Sequence, residues 1–217
     1  MSVIQYGYVP VIAIDGGAGT GKGTAAQTLA KILDYHLLDS GILYRAIGLA
    51  AHLGGSLTDN AAIVSITEQV SIESCDGKVF LEGKDVTVRV RSDECAVYAS
   101  IVAQIGEMRM ELRKRQLEMR KPPGLVADGR DMGFIFDPAR RFFLTALPEV
   151  RAERRFLEFT QKKVPAKYED ILKGIIARDN SDQNNPVHKL RPHESAIIID
   201  TSFLSREEVL GQILNNL

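Results

Sequence analysis

Short apolar runs alternate with segments of helical spacing along most of the chain. The first run, "VPVIAID" at Val9–Asp15, is bounded by proline and glycine, which favours a strand buried on both faces of a parallel sheet. The next segment, Lys22–Leu33, has apolar residues at helical spacing among good helix formers, which predicts a helix. Further apolar runs of the strand type are "HLLD" around Leu37, "GLVAD" ending at Asp128, "RRFFLTA" around Phe143 and "AIIID" ending at Asp200.

Helical patterns separate these later runs as well. "LYRAIGLAAHL" follows the second run, "RAERRFLEFTQKK" follows the fourth, and "SREEVLGQILNN" comes last. In that last segment, Ser205 and Glu208 have the spacing of a capping box at a helix start. Strands that alternate with helices in this way predict an α/β fold with a mostly parallel sheet.

The region from about Val70 to Arg91 departs from this pattern. Apolar and polar residues alternate there, and Asp76-Gly77 is a hairpin turn signal, so we predict a small antiparallel insert. A longer helical stretch is predicted to return the chain to the core over Asp93–Arg120. The sequence "KPPG" then ends it, because proline cannot continue a helix.

Composition and charge narrow the classes of function. The 217 residues suffice for one sizeable core, and the net charge of -1 with no tryptophan gives no support to a nucleic-acid or membrane partner. Cys75 and Cys95 show no metal spacing, which favours a reducing compartment. The segment "MSVIQYGYVP" lacks the pattern of a secretory signal, and no apolar run reaches the ~20 residues of a membrane span. We therefore expect a cytoplasmic monomer.

A glycine-rich stretch lies between the first predicted strand and the first predicted helix. It reads "GGAGTGKGT" and fits the spacing G-x-x-x-x-G-K, with Gly23 and Thr24 after the lysine. Glycines let successive N–H groups point at phosphate oxygens, and the helix that follows adds its N-terminal N–H groups. The stretch predicts a site for a nucleoside triphosphate, ATP, whose contacts are Gly16, Gly17, Ala18, Gly19, Thr20, Gly21, Lys22, Gly23 and Thr24.

The ending "GKGT" resembles that of nucleoside monophosphate kinases, and other motifs narrow the resemblance. "LLDSGILYRA" at Leu37–Ala46, "ADGRDMG" at Ala127–Gly133, "RDNSD" at Arg178–Asp182 and the β-rich insert around Asp76 resemble the bacterial-type cytidylate kinase family. The resemblance runs through nearly the whole chain in the family's order. It implies transfer of a phosphoryl group from ATP to CMP or dCMP, with Mg²⁺ as cofactor.

The same resemblance implies a fold and a division into lobes. The expected fold is the three-layer α/β/α fold of P-loop proteins, with a central parallel sheet, a small β-rich inserted lobe for the monophosphate and a helical lid. We expect a single kinase domain over 1–217. Its predicted lobes are a P-loop core at 9–55, 121–150 and 195–217, a monophosphate-binding insert at 56–120 with antiparallel strands at about 70–91, and a lid at 151–190.

Residue roles follow from the resemblance by position. Lys22, Arg130 and Arg178 would carry catalysis, Arg154 would contact ATP, and Thr24 and Asp128 would hold Mg²⁺, for Asp128 through water. For the lid arginines Arg151, Arg154 and Arg155, a solvated helix face is the alternative. The residues that would contact CMP are Ser40, Tyr44, Arg45, Ser100, Arg109, Arg130, Asp131 and Asp182.

The implied base contacts make chemical sense. Cytosine offers an amino donor at N4 and acceptors at N3 and O2. A carboxylate, such as Asp131, suits the donor, and Arg109 and Ser100 suit the acceptors. Uracil would leave such buried groups mispaired, at about 1–3 kcal/mol each. Ser100 can also be read as a small helix residue, and Ser40 as the N-cap of the helix that follows it.

The lid is where the sequence departs from the family pattern. That pattern reads R-D-x-R-D-R-x-R, and this chain reads "RDNSDQNN", with Ser181 and Asn185 in place of arginines. The last arginine of the pattern helps to hold the acceptor phosphate. Weaker acceptor binding, replacement by Lys189 or Arg191, and lost catalysis all stay open. Alternative functions are a P-loop kinase of another small molecule and a nucleotide-binding protein with weakened catalysis.

Overall fold

The structure is a computed structural model that describes residues 9–75 and 77–217. The first residue of the predicted turn, Asp76, lies outside the described residues. So do residues 1–8, which are most of the segment "MSVIQYGYVP" that lacks the pattern of a secretory signal. Within the described part of the chain, no helix is long and apolar enough to span a membrane.

Strands and helices alternate through most of the chain. The strands are β1 (Val11–Gly16), β2 (His36–Asp39), β3 (Ile72–Cys75), β4 (Lys78–Leu81), β5 (Lys84–Asp85), β6 (Leu125–Gly129), β7 (Arg140–Thr145) and β8 (Ile197–Asp200). The helices are α1 (Lys22–Leu33), α2 (Ser40–Leu53), α3 (Asn60–Gln69), α4 (Thr87–Val90), α5 (Asp93–Val102), α6 (Gly106–Glu118), α7 (Met132–Ile135), α8 (Pro148–Gln161), α9 (Tyr168–Gln183) and α10 (Arg206–Leu214).

The contacts divide the chain into two compact units. The first unit comprises residues up to Leu38 together with Met119–Leu217, and the second comprises Asp39–Glu118. The first unit carries the glycine-rich loop, and the second carries the antiparallel strands. The boundaries that were predicted for the functional lobes stay predictions.

A five-stranded sheet in the order β2-β6-β1-β7-β8 forms the centre of the first unit. Strand β1 is parallel to both of its neighbours, with Ala13 opposite Ala127 and Ile14 opposite Phe142. All six residues of β1 and all five of β6 are buried, as the continuous apolar runs predict. Because parallel strands end at the same edge, the glycine-rich loop and the "DGRDMG" motif leave the sheet side by side. The predicted α/β fold with a central parallel sheet is confirmed.

Helices α1 and α10 pack together and share an apolar core with this sheet. Leu29 of α1, Phe142 of β7 and Ile213 of α10 are nearly or fully buried in that cluster. The predicted capping box at the start of α10 is confirmed, because Ser205 accepts from the Glu208 amide while the Glu208 carboxylate accepts from the Ser205 amide. These contacts pack α1, which follows the glycine-rich loop, against the sheet and α10.

The second unit has its own core, and helices α2 and α5 meet there closely. A Cβ on Gly48 would lie 2.7 Å from the Cβ of Tyr98, so only glycine allows this approach of the two helices. Strands β3 and β4 are antiparallel, with Cys75 opposite Lys78, which confirms the predicted hairpin.

Two details of the second unit differ from the sequence prediction. Residues 87–90 form helix α4 where alternation predicted a strand, because Asp85 accepts a hydrogen bond from the Thr87 amide at 2.9 Å and turns the chain. The predicted single helix over Asp93–Arg120 is two helices, α5 and α6. Ile105 lies between them and is buried, so an apolar side chain is drawn into the core at the break.

Candidate active site

The glycine-rich loop leaves β1 through a backbone that requires glycine. A Cβ on Gly16 would lie 2.2 Å from the carbonyl oxygen of Leu144, an impossible approach. Gly21 is the N-cap of α1 and has a left-handed backbone with φ of 88°, which side chains disfavour. The loop therefore ends at a helix N-terminus, where the helix dipole favours an anion.

Lys22 lies at the first turn of α1 and points back over the loop. Its Nζ donates to the carbonyl of Gly17 at 3.3 Å and lies 3.8 Å from Oδ1 of Asp128 on β6. A Cβ on Gly23 would lie 3.1 Å from the other carboxylate oxygen of Asp128. The glycine after the lysine therefore leaves room for this carboxylate, which is itself buried.

Asp128 and Thr24 are the residues that were predicted to hold Mg²⁺. Among the described residues, no group of three His, Cys, Asp or Glu side chains could hold a metal ion. Mg²⁺ in kinases takes one or two protein oxygens and completes its shell with phosphate and water. One carboxylate beside the loop, with the exposed Thr24 hydroxyl on α1, is a donor set of this kind.

Asp15 is a buried acid that the sequence analysis did not single out. Its two carboxylate oxygens accept hydrogen bonds from the backbone N–H groups of Met132 and Gly133, each at 2.8 Å. Burial raises the pKa of Asp15 to about 7. The two backbone hydrogen bonds act to lower this pKa, and the nearby Asp131 and Asp128 add to the increase. The sequence does carry a signal for this residue, because Asp15 is a charged side chain in the otherwise apolar strand β1.

Arg130, Asp182 and Arg178 form one charge cluster. The Asp182 carboxylate accepts from Nε of Arg130 at 2.8 Å and from Nε of Arg178 at 3.2 Å. Burial acts to raise the pKa of Asp182, but the charges of Arg130 and Arg178 outweigh it and hold that pKa below its usual value. The structure thus brings together an arginine of the "DGRDMG" motif and two residues of the "RDNSD" motif.

The three arginines of α8 have different surroundings. Arg151 is buried rather than on a solvated face, and it donates to both carboxylate oxygens of Asp179 and, at 3.1 Å, to the carbonyl of Ala18 in the loop. Arg154 donates to the hydroxyl of Thr201 at 3.1 Å. That hydroxyl donates to the carbonyl of Thr20, also in the loop.

Arg155 is the third arginine of α8, and its guanidinium lies 5.5 Å from the centre of the Phe159 ring. Arg151 reaches the glycine-rich loop directly, and Arg154 reaches it through Thr201. The contacts that link Arg151, Asp179 and Thr201 to the loop were not predicted, because these residues are distant from the loop in sequence.

Five of the predicted acceptor residues lie in the second unit, namely Ser40, Tyr44, Arg45, Ser100 and Arg109. Arg109 has its guanidinium 5.6 Å from the centre of the Tyr44 ring. Arg45 donates to the carbonyls of Val90 at 3.1 Å and Ser92 at 2.8 Å. The Ser100 hydroxyl donates to the carbonyl four residues earlier in α5. Their roles toward CMP stay predictions.

The N-cap of α2 is Asp39, whose side chain accepts from the Ile42 amide at 3.2 Å. The alternative prediction that Ser40 caps this helix is therefore wrong. Ser40 is the first helical residue and is buried. An aspartate directly before a serine competes for the same position, and a carboxylate also suits the positive end of a helix dipole.

The altered part of the lid has a local structure of its own. The Asn185 side-chain oxygen accepts from the amides of Val187 and His188, each at 3.0 Å, and so closes a turn. The chain then returns to α9, where the Leu190 amide donates to the carbonyl of Asp182 at 2.9 Å. The next residue, Arg191, lies with its guanidinium 5.3 Å from the centre of the Phe134 ring in α7.

The sequence of this chain is similar to those of known proteins over nearly its whole length. The family model for cytidylate kinase matches residues 12–217. The chain belongs to the cytidylate kinase family. A cytidylate kinase of Nitrosomonas europaea is 40% identical over 210 residues, which cover 95% of this chain and 94% of the relative. One from Shewanella sp. strain MR-4 is 42% identical over 215 residues, with the same coverage of both chains.

Proposed function

We propose that this protein transfers the γ-phosphoryl group of ATP to CMP or dCMP, giving ADP and CDP or dCDP. The observation that carries the proposal is the pairing of two features in one unit of a cytidylate kinase family member. Lys22 lies over the glycine-rich loop beside Asp128, and Arg130 joins Asp182 and Arg178. The first feature suits a nucleoside triphosphate, and the second suits the phosphates of a second nucleotide.

Phosphoryl transfer requires that the acceptor oxygen be aligned with the γ-phosphate and that positive charge surround the transferred group. An oxygen of the acceptor phosphate forms a bond to the γ-phosphorus, while the bond from that phosphorus to the bridging oxygen breaks and ADP leaves. Lys22 is placed to balance charge on the triphosphate, and Arg130 and Arg178 to balance charge on the transferred group and the acceptor. Mg²⁺, held by Asp128 and Thr24 with the phosphates, would neutralise further charge when bound.

Asp182 prepares two arginines for this task. Its ion pairs with Arg130 and Arg178 restrict both side chains, so less side-chain entropy is lost when they bind a phosphate. The Asp182 pKa lies below its usual value, so the carboxylate stays charged at neutral pH. In this proposal the arginines meet the phosphates, and Asp182 also meets the acceptor ribose.

Choice of base is assigned to Asp131, with Arg109 and Ser100. Asp131, the fourth residue of the "DGRDMG" motif, is buried, and the oxygens of a carboxylate accept hydrogen bonds without donating any. Cytosine can donate to it from N4, whereas uracil presents O4, an acceptor, at the same position. The protein should therefore discriminate against UMP.

An acceptor panel tests the proposal. Steady-state ADP release is measured with ATP and Mg²⁺ against CMP, dCMP, UMP, AMP and shikimate. We expect kcat/KM to be highest for CMP and dCMP, because the site reads N4. A higher kcat/KM with AMP or shikimate would identify a kinase of another small molecule instead. ADP release that is independent of any acceptor would identify a nucleotide hydrolase.

A further inference from the structure

The short helix α7 begins directly after the two residues that are assigned to the acceptor, Arg130 and Asp131. The first N–H groups of any helix have no partner within it, and the side chain of the N-cap residue usually accepts from one of them. Asp131 is the N-cap of α7, yet its side chain makes no capping hydrogen bond. Another group must accept from these N–H groups, because Met132 and Gly133 are buried.

That group is the carboxylate of Asp15, at the end of the neighbouring strand β1. Its Oδ1 accepts from the Met132 amide and its Oδ2 from the Gly133 amide, each at 2.8 Å. Asp15 is 5% exposed, so water does not compete for these bonds. A residue 117 positions earlier in the chain thus caps the helix, and the capping role does not fall to Asp131.

Arg141 holds the same turn from the other side. Its Nε donates to the carbonyl of Gly133 at 2.8 Å, and one terminal nitrogen donates to the carbonyl of Phe136 at 3.3 Å. A Cβ on Gly133 would lie 3.3 Å from Oδ2 of Asp15 and 3.4 Å from Cδ of Arg141. The backbone of Gly133 is therefore enclosed between an acid that binds its N–H and a base that binds its carbonyl.

We infer that Asp15 and Arg141 are positioning residues, which hold the turn at 130–133 from both sides so that the Asp131 side chain is presented to the acceptor base. This inference rests on the proposed function, because it concerns how that site selects cytosine. Neither residue needs to contact a substrate. Both bind the backbone of Met132 or Gly133, and the position of this backbone sets the direction of the Asp131 side chain.

Two variants test the inference through base selectivity. Asp15→Asn leaves one acceptor oxygen and puts an amide donor against a backbone N–H, and Arg141→Lys removes the fork that spans two carbonyls. In each variant we expect the ratio of kcat/KM for CMP to that for UMP to fall about tenfold. The KM for CMP should rise more than the KM for ATP, because Lys22 and its loop are unchanged.

The matched control is Arg140→Lys. Arg140 precedes Arg141 on β7 and donates to the backbone carbonyl of Asn216, away from the "DGRDMG" turn. Its CMP-to-UMP ratio should equal that of the wild type. A purely structural role for Asp15 or Arg141 would lower turnover with both acceptors in parallel and leave the ratio unchanged, which would overturn the inference.

Two further outcomes are decisive. Should Asp15→Asn fail to fold, Gly133→Ala and Arg141→Lys decide the matter, since the added methyl of Gly133→Ala would push against both Asp15 and Arg141. An unchanged ratio in those two variants would overturn the inference. A wild-type protein without preference for CMP over UMP would overturn the proposed function itself, whatever the variants do.

Discussion

The ammonium of Lys22 and the carboxylate of Asp128 lie 3.8 Å apart, and both side chains are largely buried at the mouth of the glycine-rich loop. The pair joins the first turn of α1 to the end of β6. A positive charge for phosphate and an oxygen ligand suited to Mg²⁺ are thus adjacent. The Gly23 position makes this possible, because a Cβ there would lie 3.1 Å from the carboxylate.

Replacing Lys22 tests its role at the triphosphate. Lys22→Ala should lower kcat by about 10²–10³ or more, because the charge that it supplies acts on the phosphates in the transition state. The circular-dichroism spectrum should stay that of the wild type. Lys31→Ala, at an exposed position on the same helix, is the control and should keep full turnover. Equal turnover in the two variants would end the proposed role of Lys22.

Base choice is tested at Asp131. Asp131→Asn replaces a group that only accepts hydrogen bonds with an amide that also donates, which can face O4 of uracil. The ratio of kcat/KM for CMP to that for UMP should fall by about tenfold or more, the equivalent of ~1.4 kcal/mol. Kinetics with both acceptors at saturating ATP measure it. A ratio that does not move would remove Asp131 as the base reader.

The altered lid gives a prediction about Arg191. Asn185 closes a turn through its side-chain oxygen, so Asn185→Arg should lose that turn and give little or no decrease in the KM for CMP. Arg191 lies against Phe134 of α7. The residue before it, Leu190, donates a backbone hydrogen bond to the carbonyl of Asp182. We therefore expect Arg191→Ala to raise the KM for CMP about tenfold, the loss of one charge-assisted hydrogen bond.

Lys189→Ala is the matched control for Arg191→Ala, because Lys189 is an exposed cation two residues earlier. The KM for ATP should stay unchanged in both variants, since the missing contact is on the acceptor side. Arg191 would be excluded as the replacement if its loss left the KM for CMP unchanged, or if Asn185→Arg lowered that KM tenfold.

Asp15 should make stability depend on pH. Its pKa is raised from 3.8 to about 7 in the folded protein, so between these values the folded state keeps a proton that the unfolded chain has released. The free energy of unfolding should therefore fall as pH rises through this window, by at most about 1.4 kcal/mol per pH unit from this group. Above about pH 7 both states are ionised and the contribution is constant.

Urea unfolding of wild-type protein and Asp15→Asn between pH 4.5 and 8.5, without nucleotide, measures this contribution, with the pH range chosen around the shifted pKa. The wild-type free energy of unfolding should decline relative to that of the variant up to about pH 7, and the difference should then level off. A difference that is constant across the range would show that Asp15 is ionised throughout.

Local signals in the sequence were enough for the central sheet and the loop. The run at Val9–Asp15 is apolar because β1 is buried on both faces, and the glycines follow because the loop passes close to Leu144 and ends in a left-handed N-cap. The capping box of Ser205 and Glu208 is likewise a contact within one helical turn. Patterns that arise from neighbours in sequence can be read without the fold.

The contacts that the sequence did not reveal join distant residues. Asp15 binds amides more than a hundred positions away, and Arg151 on α8 binds the loop carbonyl of Ala18. The helix at 87–90 arises because Asp85 binds the Thr87 amide in a segment whose alternation is typical of a strand. That hydrogen bond is local, whereas the contacts of Asp15 and Arg151 depend on tertiary packing, which local propensity does not report.

Identifying the products is the most direct test of the proposed phosphoryl transfer. Equal concentrations of CMP and ATP with Mg²⁺ are incubated with the protein, and the nucleotides are separated by anion exchange. CDP and ADP should appear in equal amounts, and Lys22→Ala should form neither at a comparable rate. ADP that is accompanied by inorganic phosphate without CDP, or the absence of any product, would contradict the proposed phosphoryl transfer to CMP.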